Sequence, residues 1–307
     1  MTNTKYNVIF SIGIIVWWCS SAFYSSYNRI LLKSDLTKKT NICEALKVGF
    51  FECLLLALVE YVIEQLTKGN NKKYVFLKPI CGIMTFVNTF LMNVLATSKT
   101  VHYSQMLKFS EPLLVLLFNV AFFKTKVTNR QWLYSAMIIL GAIIYNMPKT
   151  KHSNTVIANF TSITPVLLIL NSSLRAILMK QRLAHRKESG LSNVLIDIFL
   201  TASVCHVIPL VYFKCDFTWS KQYNAVVFLF ALYNFVSNRI LKNIKVSLHA
   251  GGKVGKRVVS VILSIVLVKE YINLQQGIGL TIMIAGLYLF IKTKNKNEIL
   301  PTNNSKI

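Results

Sequence analysis

Residues 246–268 read VSLHAGGKVGKRVVSVILSIVLV. About 20 apolar residues carry a helix across the hydrocarbon core of a bilayer, and from Val258 onward this stretch holds nothing more polar than serine. Its first half nevertheless carries Lys253, Lys256 and Arg257. It reads as a membrane span that keeps cations inside it. Displaced by 145 residues it falls on residues 101–123, VHYSQMLKFSEPLLVLLFNVAFF, an equally long block with Lys108 inside. Val101 then meets Val246, Lys108 meets Lys253, Lys124 meets Lys269, Gln131 meets Gln276 and Gly141 meets Gly286. Matched polar and glycine positions at one offset point to an internal repeat.

Eight further apolar blocks surround these two, at 8–27, 43–66, 79–98, 132–147, 156–179, 194–213, 226–244 and 277–291. The chain has 307 residues, 53% of them hydrophobic, and a mean hydropathy of +0.48. Ten spans use about two thirds of that length, which leaves little for any soluble domain. The expected fold is an all-α integral membrane protein of about ten transmembrane helices in two pseudo-symmetric five-helix inverted repeats. Residues 1–148 form the first repeat, 149–292 the second and 293–307 a polar tail. The first block reads as a mature span and not a cleaved leader, since it is long for one and no A-x-A-like site follows it.

Net charge is +24, from 35 Lys+Arg against 11 Asp+Glu. In a soluble chain that would suggest nucleic acid. Here most basic residues sit in short loops, as at Lys72-Lys73 and between Lys124 and Arg130, where they orient the spans. The side bearing the N-terminus carries roughly twice as many as the other, which places both termini in the cytosol. Nucleic acid is therefore not an expected partner, whereas membrane lipid is. The six cysteines, Cys19, Cys43, Cys53, Cys81, Cys205 and Cys215, form no C-x-x-C pair. They read as small core residues, with neither a metal site nor a disulfide framework implied.

The charges inside the spans carry the chemistry. A cation at the centre of a membrane helix costs about 2.5–3.5 kcal/mol on insertion scales. Lys108, Lys253, Lys256 and Arg257 should therefore face a cavity and meet an anion. Glu111 lies one helical turn from Lys108, so an ion pair is one way to satisfy that lysine. No acid lies near Lys256-Arg257 in sequence, and snorkelling to the interface is the plain alternative for them. A planar Arg fork beside compact Lys charges suits a phosphate group. Gly251, Gly252 and Gly255 let the backbone bend, or let a neighbouring helix or a ligand come close. The run GGKVGKR lacks the spacing of a Walker motif. The sequence contains no Ser/His/Asp arrangement, no metal-ligand spacing and no paired carboxylates, so neither an enzyme nor a cofactor is expected.

At these residues the chain resembles the triose-phosphate/phosphate translocators of the drug/metabolite transporter superfamily. Lys108 and Glu111-Pro112 stand where that family's fourth span has them. Tyr233-Asn234, His249 and Lys256-Arg257 keep the spacing of its eighth and ninth, and Arg175 and Lys180 retain part of its sixth. The resemblance implies that Lys108, Lys256 and Arg257 grip a substrate phosphate while Tyr233 and Thr89 contact the rest of the molecule. Lys253, Arg175, His249 and Glu111 would support them. Thr89 takes the place of a histidine of some members, Val246 of a proline and Lys242 of a glutamate. The part that reads the carbon skeleton is thus expected to differ.

The function expected is strict exchange of inorganic phosphate for phosphorylated three-carbon metabolites, namely triose phosphate, 3-phosphoglycerate and phosphoenolpyruvate. The site would lie between the repeats near the bilayer midplane. A nucleotide-sugar or other sugar-phosphate carrier of the same fold is one alternative, and a non-transporting receptor or sensor is another. The resemblance points to a plastid-type envelope, such as the outer membrane of a complex plastid, with Golgi or endoplasmic reticulum as the other settings. Oligomeric state is not legible in the sequence.

Overall fold

A computed structural model describes residues 2–33, 38–68, 79–97, 109, 111–124, 127–146, 158–185, 191–216, 219, 221, 223–244, 246–268 and 273–293. Within them the regular structure is helical throughout. The helices are α1 (Thr2–Lys33), α2 (Lys38–Lys68), α3 (Ile80–Thr97), α4 (Glu111–Phe123) and α5 (Asn129–Asn146), then α6 (Ala158–His185), α7 (Leu191–Tyr212), α8 (Tyr223–Asn243), α9 (Val246–Val268) and α10 (Leu274–Lys292). At 1.5 Å per residue most are long enough to cross the hydrocarbon core. By length and composition alone α7, α8 and α10 qualify as membrane spans. The chain is an all-helical membrane protein. The expected fourth span begins at residue 101, but residues 101–108 lie outside the described residues and the described helix starts at Glu111.

Helix starts are written in the sequence. At α10 the Asn273 side chain accepts from Gln275 N (2.9 Å), and the Gln276 side chain accepts from Asn273 N (3.1 Å). At α5 the Gln131 side chain accepts from Thr128 N at 3.1 Å. Both use the N-cap arrangement in which a side chain satisfies backbone donors that the first turn leaves open. The two glutamines are the pair that the 145-residue offset superimposes.

The buried apolar residues gather into two clusters. One joins α1, α2, α7 and α8 through Tyr24, Val48, Leu56, Ile198, Phe199 and Val226. The other joins α4, α5, α9 and α10 through Leu116, Ile138, Val254, Val258 and Met283. The most extensive helix pairings are α5 with α10, α2 with α7 and α1 with α8, so the two sequence halves interleave instead of standing side by side. Contacts also recur five helices on: α1 packs on α8 as α6 packs on α3, and α1 on α9 as α6 on α4. Large apolar side chains such as Ile208 (68% exposed) and Phe228 (60%) face outward, as a lipid-facing surface requires.

Close approach of α5 and α10 depends on glycine. A Cβ added at Gly279 would lie 2.4 Å from Tyr145 N and 2.6 Å from Gly141 O. Only a residue without a side chain allows backbones this near, the small-residue device of membrane helix packing.

The cysteine reading needs correction. Cys43 and Cys215 form a disulfide, with a Cα–Cα distance of 5.5 Å. It ties the start of α2 to the chain just beyond α7. The partners are 172 residues apart, so no local spacing announces the bond. Cys19, Cys53, Cys81 and Cys205 are free thiols of buried or half-buried positions, as expected of core residues.

Candidate functional site

Between the two clusters lies a cavity of ≈ 100 Å³. Four helical faces build most of it. α9 contributes His249, Lys253, Lys256 and Arg257, and α8 contributes Tyr233, Asn234, Ser237 and Asn238. α6 contributes Ser172, Arg175 and Met179, and α1 contributes Ser21, Tyr24 and Ser25. These sets follow i, i+3, i+4 spacing, which puts each on one face of its helix. Glu111 from α4 and Asn88 and Met92 from α3 complete the wall.

Among the described residues four cations line this cavity, Arg175, Lys253, Lys256 and Arg257, and a single carboxylate, Glu111, faces them. Glu111 is 1% exposed and accepts from three groups. Lys253 Nζ donates to Oε1 at 2.5 Å, Ser172 Oγ to Oε1 at 3.0 Å and Arg257 Nη2 to Oε2 at 2.9 Å. The ammonium of Lys253 also reaches Ser172 Oγ at 3.4 Å. Lys256 Nζ stands 4.8 Å from the Tyr233 ring centroid, where the ring's quadrupole attracts a cation. Arg175 turns its buried Nε inward with no hydrogen-bond partner among the described residues. The wall thus carries an excess of three positive charges, with two of its cations grouped around one internal anion.

Most of the residues singled out from sequence meet here. Lys256, Arg257, Tyr233, Lys253, Arg175, His249 and Glu111 all line the one cavity. Lys108 lies outside the described residues. Thr89 is not part of the lining. It is buried about a quarter-turn around α3 from the face of Asn88 and Met92, its hydroxyl against the Thr85 carbonyl (3.0 Å) and 3.2 Å from His206 Nε2. His249 is braced by a stacked Trp17 (5.0 Å between centroids) and by Ser237 Oγ at 2.9 Å. The glycines before Lys256 serve helix packing: Gly252 abuts Trp17 and Gly255 abuts Trp18, and added Cβ atoms would lie 2.9 and 2.5 Å from those rings.

Sequence reasoning left two things out. The acid serving Arg257 is Glu111, 146 residues away, so the expectation that Lys256-Arg257 has no nearby acid holds in sequence and fails in space. The polar lining of Ser21, Ser25, Asn88, Ser172, Ser237 and Asn238 also went unread. Its signal was present, since polar side chains at helical spacing within apolar spans point into a bundle.

A helical membrane bundle with a cationic, polar-walled pocket among its helices is an architecture suited to carrying an anionic solute. The chain belongs to the Triose-phosphate Transporter family, whose profile matches residues 9–291. It is 23% identical over 309 residues to phosphoenolpyruvate/phosphate translocator 1, chloroplastic, of Arabidopsis thaliana, spanning 94% of this chain and 73% of that one. A crystal structure of a protein 14% identical in sequence superposes with a TM-score of 0.64 over 93% of this chain and 96% of its own, a likeness of fold alone.

Proposed function

We propose that this transporter exchanges inorganic phosphate for phosphorylated three-carbon metabolites (triose phosphate, 3-phosphoglycerate and phosphoenolpyruvate) across an organelle membrane by alternating access. The observation that carries the proposal is the four-to-one ratio of cations to carboxylates lining a pocket walled by helices. Such a ratio is costly without a guest and is offset by a doubly negative one. Arg257 and Lys256 supply the fork and the point charge for the phosphate. Tyr233, whose ring sits against Lys256, presents its hydroxyl to the substrate's carboxylate or carbonyl. Lys108 is proposed as a third phosphate contact on the family resemblance. The Arabidopsis relative's name pairs phosphoenolpyruvate with phosphate, which supports that substrate class.

Glu111 adds a step that the charge pattern alone does not contain. In the empty chamber it occupies Lys253 and Arg257 as a resident counter-ion. An arriving phosphate competes for the same donors and can also meet Arg175 and Lys256 elsewhere in the wall. Closure of the helices over the chamber is then favoured with the guest and disfavoured without it, the differential stabilisation that coupled exchange needs. The moving parts proposed are the two apolar clusters, with the chamber at their boundary.

The test is uptake into proteoliposomes. Vesicles preloaded with phosphate take up labelled phosphate, and empty vesicles take up little. A panel of internal counter-substrates then ranks the three-carbon phosphates against sugar phosphates and nucleotide sugars. Equal uptake into empty vesicles would refute exchange, and a preference for nucleotide sugars would move the substrate class.

A further inference from the structure

The chain has 11 acidic residues, four of them on α2, and three of those four, Glu44, Glu52 and Glu60, follow one another at eight-residue intervals. α2 and α8 run side by side, and the outer two members of the row meet partners on α8 at a constant offset of 179 residues. Glu44 accepts from the Tyr223 hydroxyl, and Glu60 takes both nitrogens of the Arg239 fork at 2.8 and 3.1 Å. The same offset places Ala231 across from Glu52. The middle acid therefore stands where its neighbours have a partner and it has a methyl group.

Glu52 is 0% exposed. Its Oε2 accepts from Asn93 Nδ2 at 3.3 Å, and its Oε1 has no hydrogen-bond partner among the described residues. A buried carboxylate with one oxygen unpartnered and no cation among its described partners keeps its negative charge only where positive charge reaches it from further off. The group is also wired to the chamber. Asn93 Oδ1 accepts from Asn28 Nδ2 (2.9 Å) and from the Tyr24 hydroxyl (3.3 Å). Tyr24 lines the chamber, with its ring 5.1 Å from that of Tyr233.

We propose that Glu52 is a proton-binding site linked to the anion chamber, so that phosphate entry draws a proton from water onto this carboxylate and phosphate release returns it. The inference rests on the phosphate-binding reading given above. The chamber wall that Tyr24 and Tyr233 line carries an excess of three positive charges, and on this proposal that excess favours an ionised Glu52 while no guest offsets it. A bound dianion cancels most of that excess, and the carboxylate then takes its proton. Other groups facing this point do not fill the role. Tyr24 from α1 and Tyr233 from α8 are phenols, Cys53 on α2 is a buried thiol, and α3 presents the neutral Asn93. His206 from α7 has its Nδ1 hydrogen on the Ala202 carbonyl at 2.8 Å and its Nε2 at the Thr89 hydroxyl. Arg175 from α6 lies in the chamber wall, and Arg239 is held by Glu60.

The experiment is titration calorimetry of the purified full chain with inorganic phosphate, in buffers of different ionisation enthalpy and across pH, for the wild type and Glu52→Gln. Phosphate's own protonation contributes equally to both. The wild type takes up more protons per phosphate than E52Q, by up to about one. Reciprocally, the ratio of wild-type to E52Q affinity falls by up to about tenfold per pH unit as pH rises. Should E52Q fail to fold, the infrared difference spectrum of the wild type on adding phosphate takes its place, and a new protonated-carboxyl band is expected. Equal proton counts in two phosphate-binding proteins, or no such band, overturns the role of Glu52 alone. A wild type that gives no binding heat with phosphate overturns the functional reading beneath it.

Discussion

Lys256 and Glu111 separate the two things a charged residue does in this chamber. Lys256 lies against the Tyr233 ring, while Lys253 and Arg257 hold Glu111. Truncation of Lys256 to alanine removes a charge-assisted contact worth about 1.5–3 kcal/mol. Phosphate exchange in proteoliposomes should fall by about tenfold or more, at matched reconstitution. Glu111 holds one buried cation, Arg257, and one half-buried cation, Lys253, so Glu111→Gln leaves both without their anion and destabilises the protein by about 3 kcal/mol. Phosphate should restore much of that loss, because it supplies the missing charge where Glu111 stood. The expected readout is a larger phosphate-induced rise in Tm for E111Q than for the wild type. An equal or smaller rise would show that the carboxylate does not stand in for the guest. The cations themselves were legible in the sequence because charge within an apolar block has few explanations. Their partner was not, since Glu111 sits beside Lys108 in the chain and beside Lys253 and Arg257 only after α4 and α9 pack. Thr89 lies outside the chamber lining. The face on α3 that meets the chamber is that of Asn88 and Met92.

Among the helices, the pairing of α5 with α10 has the clearest steric requirement. Alanine at Gly279 places a methyl group 2.4 Å from the Tyr145 backbone nitrogen, and backbone cannot move aside as a side-chain tip can. Overpacking of this kind costs about 1–3 kcal/mol or more. Gly277, two residues earlier on the same helix, has nothing within 4 Å of such a methyl. Gly277→Ala should therefore be neutral, or stabilise by up to about 1 kcal/mol through helix propensity. Thermal melting of the two variants in one detergent checks the contrast, and similar melting temperatures would mean that α5 and α10 do not approach this closely. The 145-residue offset already marks this helix pair in the sequence, because Gln131 with Gln276 and Gly141 with Gly286 serve matching caps and a shared interface. The offset does not carry the interleaving of the halves. Which helix lies beside which is decided by packing of lipid-facing and interior faces, and a periodic apolar pattern leaves many neighbours equally acceptable.

On the scale of the whole chain, helix counting and the disulfide bear on one question by independent routes. With the N-terminus in the cytosol, as the loop charges indicate, odd-numbered helices run away from the cytosol and even-numbered ones run back. Cys43, at the start of α2, and Cys215, just after α7, then both fall on the non-cytosolic face. A stable disulfide belongs in an oxidising compartment, so the bond is compatible with the orientation expected from the loop charges. The bond closes a loop of 172 residues, and on the chain-entropy account such a closure stabilises by about 5 kcal/mol. It joins α2 to α7, two helices of the same apolar cluster, so on the exchange proposal it would brace one body and leave the chamber boundary free. Three results are therefore expected. Cys43 and Cys215 in sealed organelles resist alkylation until a membrane-permeant reductant is added, and an impermeant reductant applied from the cytosolic side leaves them protected. The Cys43→Ser/Cys215→Ser variant melts several degrees lower. It still exchanges phosphate in proteoliposomes at a temperature where it remains folded, because the brace lies within one cluster. Ready alkylation of both thiols from the cytosolic side would reverse the orientation, and loss of exchange in a folded double variant would mean that the tie spans the moving boundary.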